Sequence, residues 1–484
     1  MKAQNAQRMP PTPPCILIVG AGFSGTATAV QLLRGAQAPL QVLLLNESGR
    51  MARGLAYGTD SLDHVLNVPA GNMSALADDP ENFLRYGRWV DARWHAGSFV
   101  PRRLYGAYLE SLLAAAESAA GPQGARLQRL VGRALRVLPP GSAHGDSRAR
   151  VQLEDGRTLA ADHVVLAFGH VAPEHPLTET QRALLGAAYT ADPWRQPLSE
   201  RVQRDDRVLL VGAGLTALDM LISLDRAGHR GPVHMLSRRG LAPQPHREQG
   251  ATAGRPAGPD AQAVQALLKD MGPHLRGQLR ALRMTVAAAM AAGGDWRDWI
   301  AALRPHTRAW WQALGEADRR RFLRHLQPHW DTLRHRCAPS AHAVFERWRG
   351  EGRLSVEAGR IQGLQAAPAG GYTLVLRPRG SAVLHERGVD HVVNCTSPSG
   401  RLARSPSVLV AAMLAEGLVQ PDALELGLQV DDLGRVIGRD GAAADWLHYV
   451  GPLLKARDWE ATAIPELRQH AAALAQGLLR QAGA

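Results

Sequence analysis

The chain carries one design twice. Residues 16–33, ILIVGAGFSGTATAVQLL, and residues 208–224, VLLVGAGLTALDMLISL, each pass from a short apolar run through a glycine cluster into an amphipathic helical stretch. A leucine and β-branched run of about four to six residues closed by glycine predicts a buried parallel strand. The duplication extends past the loops. Ala134–Ala160 holds two strand-like pieces, ALRVL and ARVQL, separated by Pro139, Pro140, Gly141 and Asp155-Gly156, and runs into Asp162-His163-Val164-Val165-Leu166-Ala167-Phe168-Gly169. Gly359–Gly388 makes a similar excursion through GYTLVLRPRG and runs into Asp390-His391-Val392-Val393-Asn394-Cys395-Thr396. Two copies of strand–helix–meander–strand, each opening on a glycine loop, predict an α/β chain with two dinucleotide-binding domains in tandem.

At 484 residues the chain has room for several domains of roughly 100–200 residues each. The expected division assigns 1–200 and 391–484 to the first Rossmann-like domain, and 201–254 and 351–390 to the second. A helical insertion is expected over 255–350, where ALLKDM, RFLRHL and HAVFERW have helical periodicity. Six of the eleven tryptophans lie in it: Trp296, Trp299, Trp310, Trp311, Trp330 and Trp348.

Composition narrows the function classes. The net charge is +12, but all except three of the 56 basic residues are arginine, and no basic block stands apart from the fold. Nucleic acid is therefore not an expected partner. Cys15, Cys337 and Cys395 lie far apart, which excludes a disulfide framework and a sequence-local redox dithiol and points to a reducing compartment. Met1–Pro14 has no signal pattern, and no uncharged apolar run approaches ~20 residues. A cytoplasmic protein without membrane attachment is expected; the oligomeric state is open. His325, His329 and His335 with Asp331 have chelating spacings, but Pro328 interrupts the helix and no H-E-x-x-H is present, so no metal is expected.

The first loop reads Gly20-x-Gly22-x-x-Gly25. Its three glycines serve a tight turn, close approach to a pyrophosphate and close helix–strand packing, while the helix N-terminus draws the phosphates. Phe23 and Ser24 lie within this cradle. Glu47, 22 residues past Gly25, is the expected ribose ligand, with Asn46 as the alternative. The second loop reads Gly212-x-Gly214-x-x-Ala217, with Leu215 and Thr216 in the matching places. Arg238 and Arg239 follow its next strand where an acid would otherwise stand. That substitution favours a 2′-phosphate, hence NADPH over NADH.

With these motifs the sequence resembles the two-dinucleotide-binding flavoproteins of glutathione-reductase-like architecture, and within them the flavin-containing and N-hydroxylating monooxygenases. The resemblance assigns FAD to the Gly20–Gly25 loop and NADPH to the Gly212–Ala217 loop. Ala167-Phe168-Gly169 looks like the strand end linking the domains, and Asn394-Cys395-Thr396-Ser397-Pro398 like its second copy. Tyr449-Val450-Gly451 is similar to the late FAD strand, which would bring Gly451 and the helix start at Ile464 to the flavin. His64-Val65-Leu66-Asn67-Val68-Pro69 is similar to the segment bearing an active-site asparagine, so Asn67 is the implied catalytic residue. Phe99–Tyr105 looks like the arginine-rich helix entry beneath FAD, which implies Arg103 as a cofactor contact. One departure stands out: Leu184–Thr190 lacks the histidine of the monooxygenase fingerprint, although Asp192-Pro193-Trp194 follows in place.

Three readings result. The first is an NADPH-dependent monooxygenase that oxygenates a small polar substrate, anionic or amine, with O₂ through a flavin peroxide. The second is a flavin reductase passing electrons to a partner. The third is an FAD-bound sensor whose conformation follows NADPH. Between Ala301 and Ser340 eight arginines face three acids, with tryptophans interleaved. Such a stretch would either grip a substrate carboxylate or form a solvated basic helix face.

Overall fold

The computed structural model describes residues 12–121, 124–142, 147–248 and 256–484. The amino-terminal stretch to residue 11 and the expected boundary at 254/255 lie outside them. Among these residues three sheets form. The first contains β1 (Cys15–Val19), β2 (Leu40–Asn46), β3 (Ala125–Val131), β7 (His163–Leu166), β15 (Arg435–Ile437) and β16 (Ala443–Tyr449), in the order β15-β16-β7-β1-β2-β3. All its pairings are parallel except β15 with β16. The small meander is β4 (Ala134–Leu138), β5 (Ala149–Leu153) and β6 (Thr158–Ala161).

The second sheet contains β8 (Tyr189–Thr190), β9 (Val208–Val211), β10 (Val233–Ser237), β11 (Leu354–Ala366), β12 (Tyr372–Pro378), β13 (His385–Val389) and β14 (His391–Asn394), in the order β13-β12-β11-β10-β9-β14-β8. The 13-residue β11 begins parallel to β10 and ends antiparallel to β12, so it carries the sheet into the second meander.

Strand pleating explains the two-sided cores. Along β1, Ile16 and Ile18 face the helices Phe23–Gly35, Arg102–Ala120 and Ile464–Ala482, while Leu17 and Val19 face the meander. Along β9, Val208 and Leu210 join one cluster and Leu209 and Val211 the other. All eight are buried, as expected for strands covered on both faces.

Three boundaries differ from those read in the sequence. β8 lies within 1–200 and β14 within 391–484, yet both pair into the second sheet through parallel ladders that start from β9. The helix Pro339–Gly350, inside the expected insertion, is the crossover that joins β10 to β11, with Phe345 and Trp348 packed in the second domain's core. Its periodicity is that of any amphipathic helix, so sequence alone could not tell crossover from insertion. The remaining insertion consists of six helices between Ala261 and Arg334. It docks on the first domain where Trp311 and Phe322 pack against Trp459, with ring centroids 4.7 and 5.1 Å apart.

The domains are bolted together by buried polar contacts. Arg102 Nη2 lies 2.9 Å from Asp219 Oδ2, and His64 Nε2 lies 2.9 Å from Ser223 Oγ. Burial pushes the Asp219 carboxyl up, with Arg102 and His64 opposing that shift. Desolvation holds His64 below its ordinary value.

Candidate functional site

The two glycine loops are superposable in logic. Gly20 has φ +111° and its N–H donates to the Leu45 carbonyl at 2.9 Å; Gly212 has φ +122° and its N–H donates to the Leu236 carbonyl at 2.8 Å. A Cβ on Gly20 would meet the Ala167 carbonyl oxygen at 2.4 Å, and one on Gly212 the Cys395 carbonyl oxygen at 2.3 Å. Both strand ends singled out in the sequence therefore press on the turns, and no side chain fits at either glycine. The middle glycines differ in kind. A Cβ on Gly22 would meet only Gly54 Cα at 3.7 Å, and one on Gly214 would meet nothing within 4 Å. Space lies in front of both loops, beside helix N-termini that no side chain caps. These are the features a pyrophosphate needs, and they fit FAD at one loop and a nicotinamide dinucleotide at the other.

Asn67 lies between the domains. Its carbonyl is 3.0 Å from His246 Nε2, while its carboxamide makes no hydrogen bond to the described residues. From His246 a polar cluster extends across the cleft. Desolvation, aided by Arg336, draws His246 down to about 4. Arg336 itself falls to about 10 through desolvation and the neighbouring charges of Arg334, Arg297 and Arg247, with the Asp295 carboxylate opposing. Arg334 Nε lies 3.0 Å from Glu460 Oε2, and Glu460 Oε1 accepts from Trp330 Nε1 at 3.2 Å.

Lys455, 4.2 Å from the centre of the Trp459 ring, is held below its ordinary value by desolvation, against the pull of Asp331 and Glu460. Asp331 is raised by desolvation. His335 is drawn to about 3 and His170 to about 4, each mainly by desolvation and also by the Lys455 charge. His170 nevertheless keeps an exposed surface, and His335 a third of its side chain. Lys455, Asp331, His335 and Glu460 thus form one charged cluster where the insertion meets the loop after Gly451. Three parts of the chain meet there: the Asn67 segment, the insertion and the loop after Gly451.

The other expected residues fall as follows. Phe23, Ser24 and Gly25 are buried at the start of the first helix, and Leu215 and Thr216 are half-buried at the start of the second. Glu47 is the first residue beyond β2, with 65% of its side chain exposed and Arg133 at 3.9 Å. The Asn46 amide is engaged, donating to Ser48 Oγ at 3.2 Å and to the Arg50 carbonyl at 3.0 Å. Gly169 (φ +76°) ends the strand β7 segment, and Gly451 (φ +145°) opens the turn Pro452–Ala456. Ile464 is the first residue of the closing helix and is buried. Arg238 is exposed after β10, and Arg239 Nη2 donates to the Arg324 carbonyl at 2.6 Å. Arg103 is exposed on the helix Arg102–Ala120, and the arginine that turns into the domain interface is its first residue, Arg102.

Sequence reasoning missed several residues. Lys455 was countable as one of three lysines, yet nothing local marks it as buried. Ala52 (φ +72°) is fully buried, and Gly54 (φ +55°) brings its backbone against the first glycine loop. A non-glycine residue in that backbone region is a strained position of the kind that clusters at ligand sites. Among the described residues no group of three His, Cys, Asp or Glu side chains could hold a metal ion. No helix among them is long and apolar enough to cross a membrane.

Residues 17–171 match the FAD-NAD(P)-binding protein family. Solved structures match over nearly the whole length. Ornithine hydroxylase from Pseudomonas aeruginosa is 17% identical with a TM-score of 0.59, covering 98% of this chain and 100% of its own. The ornithine N-hydroxylase of Kutzneria sp. 744, solved with reduced FAD, NADP⁺ and L-ornithine, is 16% identical with a TM-score of 0.61, covering 97% and 100%. L-lysine 6-monooxygenase from Pseudomonas syringae is 17% identical with a TM-score of 0.60, covering 97% and 100%. The fold is that of the two-dinucleotide-binding flavoproteins. No curated protein matches the sequence.

Proposed function

We propose that the chain is an NADPH-dependent, FAD-containing monooxygenase acting on a small molecule with a chargeable polar head. The observation that carries this reading is the polar cluster at the domain junction, where Asn67 meets a neutral His246 and the insertion's Arg334 and Trp330 meet Glu460 near Lys455. The full-length likeness to enzymes that hydroxylate ornithine and lysine supports it.

Bound FAD supplies hydride acceptance from NADPH and the activation of O₂. This chain's residues supply the setting. Gly20–Gly25 and Gly212–Ala217 would hold the two pyrophosphates, and the exposed Arg238 would meet the 2′-phosphate. The Asn67 carboxamide is free to orient a cofactor ring or the substrate. Histidines kept neutral at pH 7 add no positive charge beside an amine head and offer it ring nitrogens as hydrogen-bond partners. Lys455, poised near Asp331 and Glu460, supplies a hydrogen-bond donor to the polar head. Arg336, among three other arginines and a single opposing carboxylate, suits an anionic group on the substrate.

The test gives purified, FAD-loaded protein NADPH, isotopically heavy O₂ and a panel of amines and amino acids. The expected result is compound-dependent NADPH consumption with heavy oxygen in the product. If all consumed O₂ returns as hydrogen peroxide whatever is added, the reductase reading replaces this one.

A further inference from the structure

Inside the insertion, away from the charged cleft, the helices line a partly open cavity of about 130 Å³. That is close to the ~150 Å³ of an apolar protein cavity that takes up benzene. Its walls are Leu268, Leu279, Leu282, Phe322, Leu326 and Trp330 among others. The polar side chains on its wall are largely spent on the protein. Gln278 Nε2 donates to the Gly272 carbonyl at 3.0 Å, and its Oε1 accepts from Trp310 Nε1 at 2.9 Å. Thr307 Oγ1 donates to the Arg304 carbonyl. Apart from the imidazoles of His306 and His329 the wall holds no ionisable side chain, so a charged ligand would lose its hydration with little compensation. An uncharged hydrocarbon group would instead leave water and cover apolar surface.

The cavity adjoins the cleft through the helix Gln327–Arg334. Leu326, His329, Trp330 and Leu333 turn to the cavity at helical spacing, while Asp331 and Arg334 belong to the charged cluster. Trp330 spans the two: its ring lines the cavity and its indole N–H donates to Glu460. Leu303 and Arg304 repeat the arrangement, the leucine in the cavity wall and the guanidinium paired with Glu466 at 2.7 and 2.5 Å.

We propose that this cavity is a receptor for an uncharged apolar group, and that the substrate is amphipathic, with its polar head in the cleft and its hydrocarbon body in the insertion. The second half rests on the monooxygenase reading; the first does not. The probe is N-phenyl-1-naphthylamine, added to FAD-loaded full-length protein without NADPH. Saturable one-site fluorescence is expected, displaced by 1-octanol and not by 1,4-diaminobutane. Leu279→Trp, which fills the cavity, and Leu282→Gln, which makes its wall polar, should each weaken binding by about tenfold or more. Absence of saturable binding, or binding unchanged in both variants, overturns the receptor. Should Leu279→Trp fail to retain flavin, Leu282→Gln alone decides. NADPH consumption should then favour n-octylamine over n-butylamine in wild type and lose that preference in Leu282→Gln. Equal response to both amines overturns the amphipathic substrate. Probe binding with no amine stimulating turnover overturns the monooxygenase reading and leaves the receptor standing.

Discussion

The two glycine loops share their turn geometry and differ in how they are enclosed. At the first, Phe23, Ser24 and Gly25 are buried, Gly54 presses on the loop, and the closing helix packs along the first helix, where Leu479 lies against Gly35. At the second, a Cβ on Gly214 would meet nothing, Leu215 and Thr216 keep solvent contact, and Arg238 stands in the open. The third position shows the same contrast. A Cβ on Gly25 would sit 1.9 Å from the Gly20 carbonyl oxygen, whereas Ala217 occupies the matching place fully buried. The first loop is built around a group that stays, the second around one that enters and leaves.

The largest effect that would break this contrast is expected from Gly25→Ala. The methyl cannot be placed without moving the helix off β1, so the variant should lose flavin and also several kcal/mol of stability, beyond the ~1–3 kcal/mol usual for overpacking. Gly22→Val should separate the two losses. The protein leaves room there, since only Gly54 Cα comes within 3.7 Å of an added Cβ, but the side chain would occupy the pyrophosphate position. Absorbance at flavin wavelengths and a denaturation curve on each variant check both; a yellow Gly22→Val protein would show that the pyrophosphate lies elsewhere.

Next in size is the bolt between the domains. Arg102→Ala leaves Asp219 buried without its partner, which should cost about 3–5 kcal/mol. Removing both charges together, as Arg102→Met with Asp219→Leu, should recover most of that loss, because two desolvation penalties vanish with the pair. Chemical denaturation measures each variant. A double variant as unstable as the single would mean the ion pair is not what holds the domains.

How much of this was visible beforehand follows from the range of each interaction. The duplicated loops, the strands and the meanders are local patterns of two or more turns, and β4, β5 and β10 fall where the sequence places them. Domain boundaries were less legible, because β8 and β14 are short and take their sheet from long-range pairing with β9 and each other. Arginine at 102 rather than 103 turns inward by a rotation of one residue on a helix start, which a motif resemblance does not resolve. Asp331 is distant in sequence from Lys455 and Glu460 and meets them only because the insertion folds back on the loop after Gly451. The apolar cavity has no sequence signature at all, since its leucines have the spacing of any packed helix.

Arg238→Ala tests the second loop directly. A charge-assisted contact to a 2′-phosphate contributes ~1.5–3 kcal/mol, so KM for NADPH should rise roughly 10- to 150-fold while that for NADH stays put. Arg239→Ala should do less, since that guanidinium is already donating to the Arg324 carbonyl. The ordering of the two variants in initial-rate measurements is the readout. If Arg239 matters more, the insertion is moving with the cofactor and the second loop is less open than its geometry shows.

The smallest expected effect is the most discriminating. Ala217→Gly gives the second loop the third glycine of the first, and two outcomes follow from two pictures of that position. If the helix Leu215–Arg226 stands where its own packing on β9 and the crossover helix holds it, removing the methyl only loosens the first turn. Stability then falls by about 0.5–1 kcal/mol, the ordinary cost of glycine for alanine in a helix, and NADPH binding is unchanged. If instead the Ala217 methyl is what keeps this helix farther from its turn than the first helix is from Gly20, the helix will settle inward and close the loop on its ligand. Slower NADP⁺ release would then be seen in pre-steady-state kinetics. The clusters around Ala217 favour the first outcome, because Leu218, Leu221 and Ile222 are buried against the second domain's core and fix the helix over its whole length. The difference between the loops would then reside in the fold of each domain, with the third residue recording it.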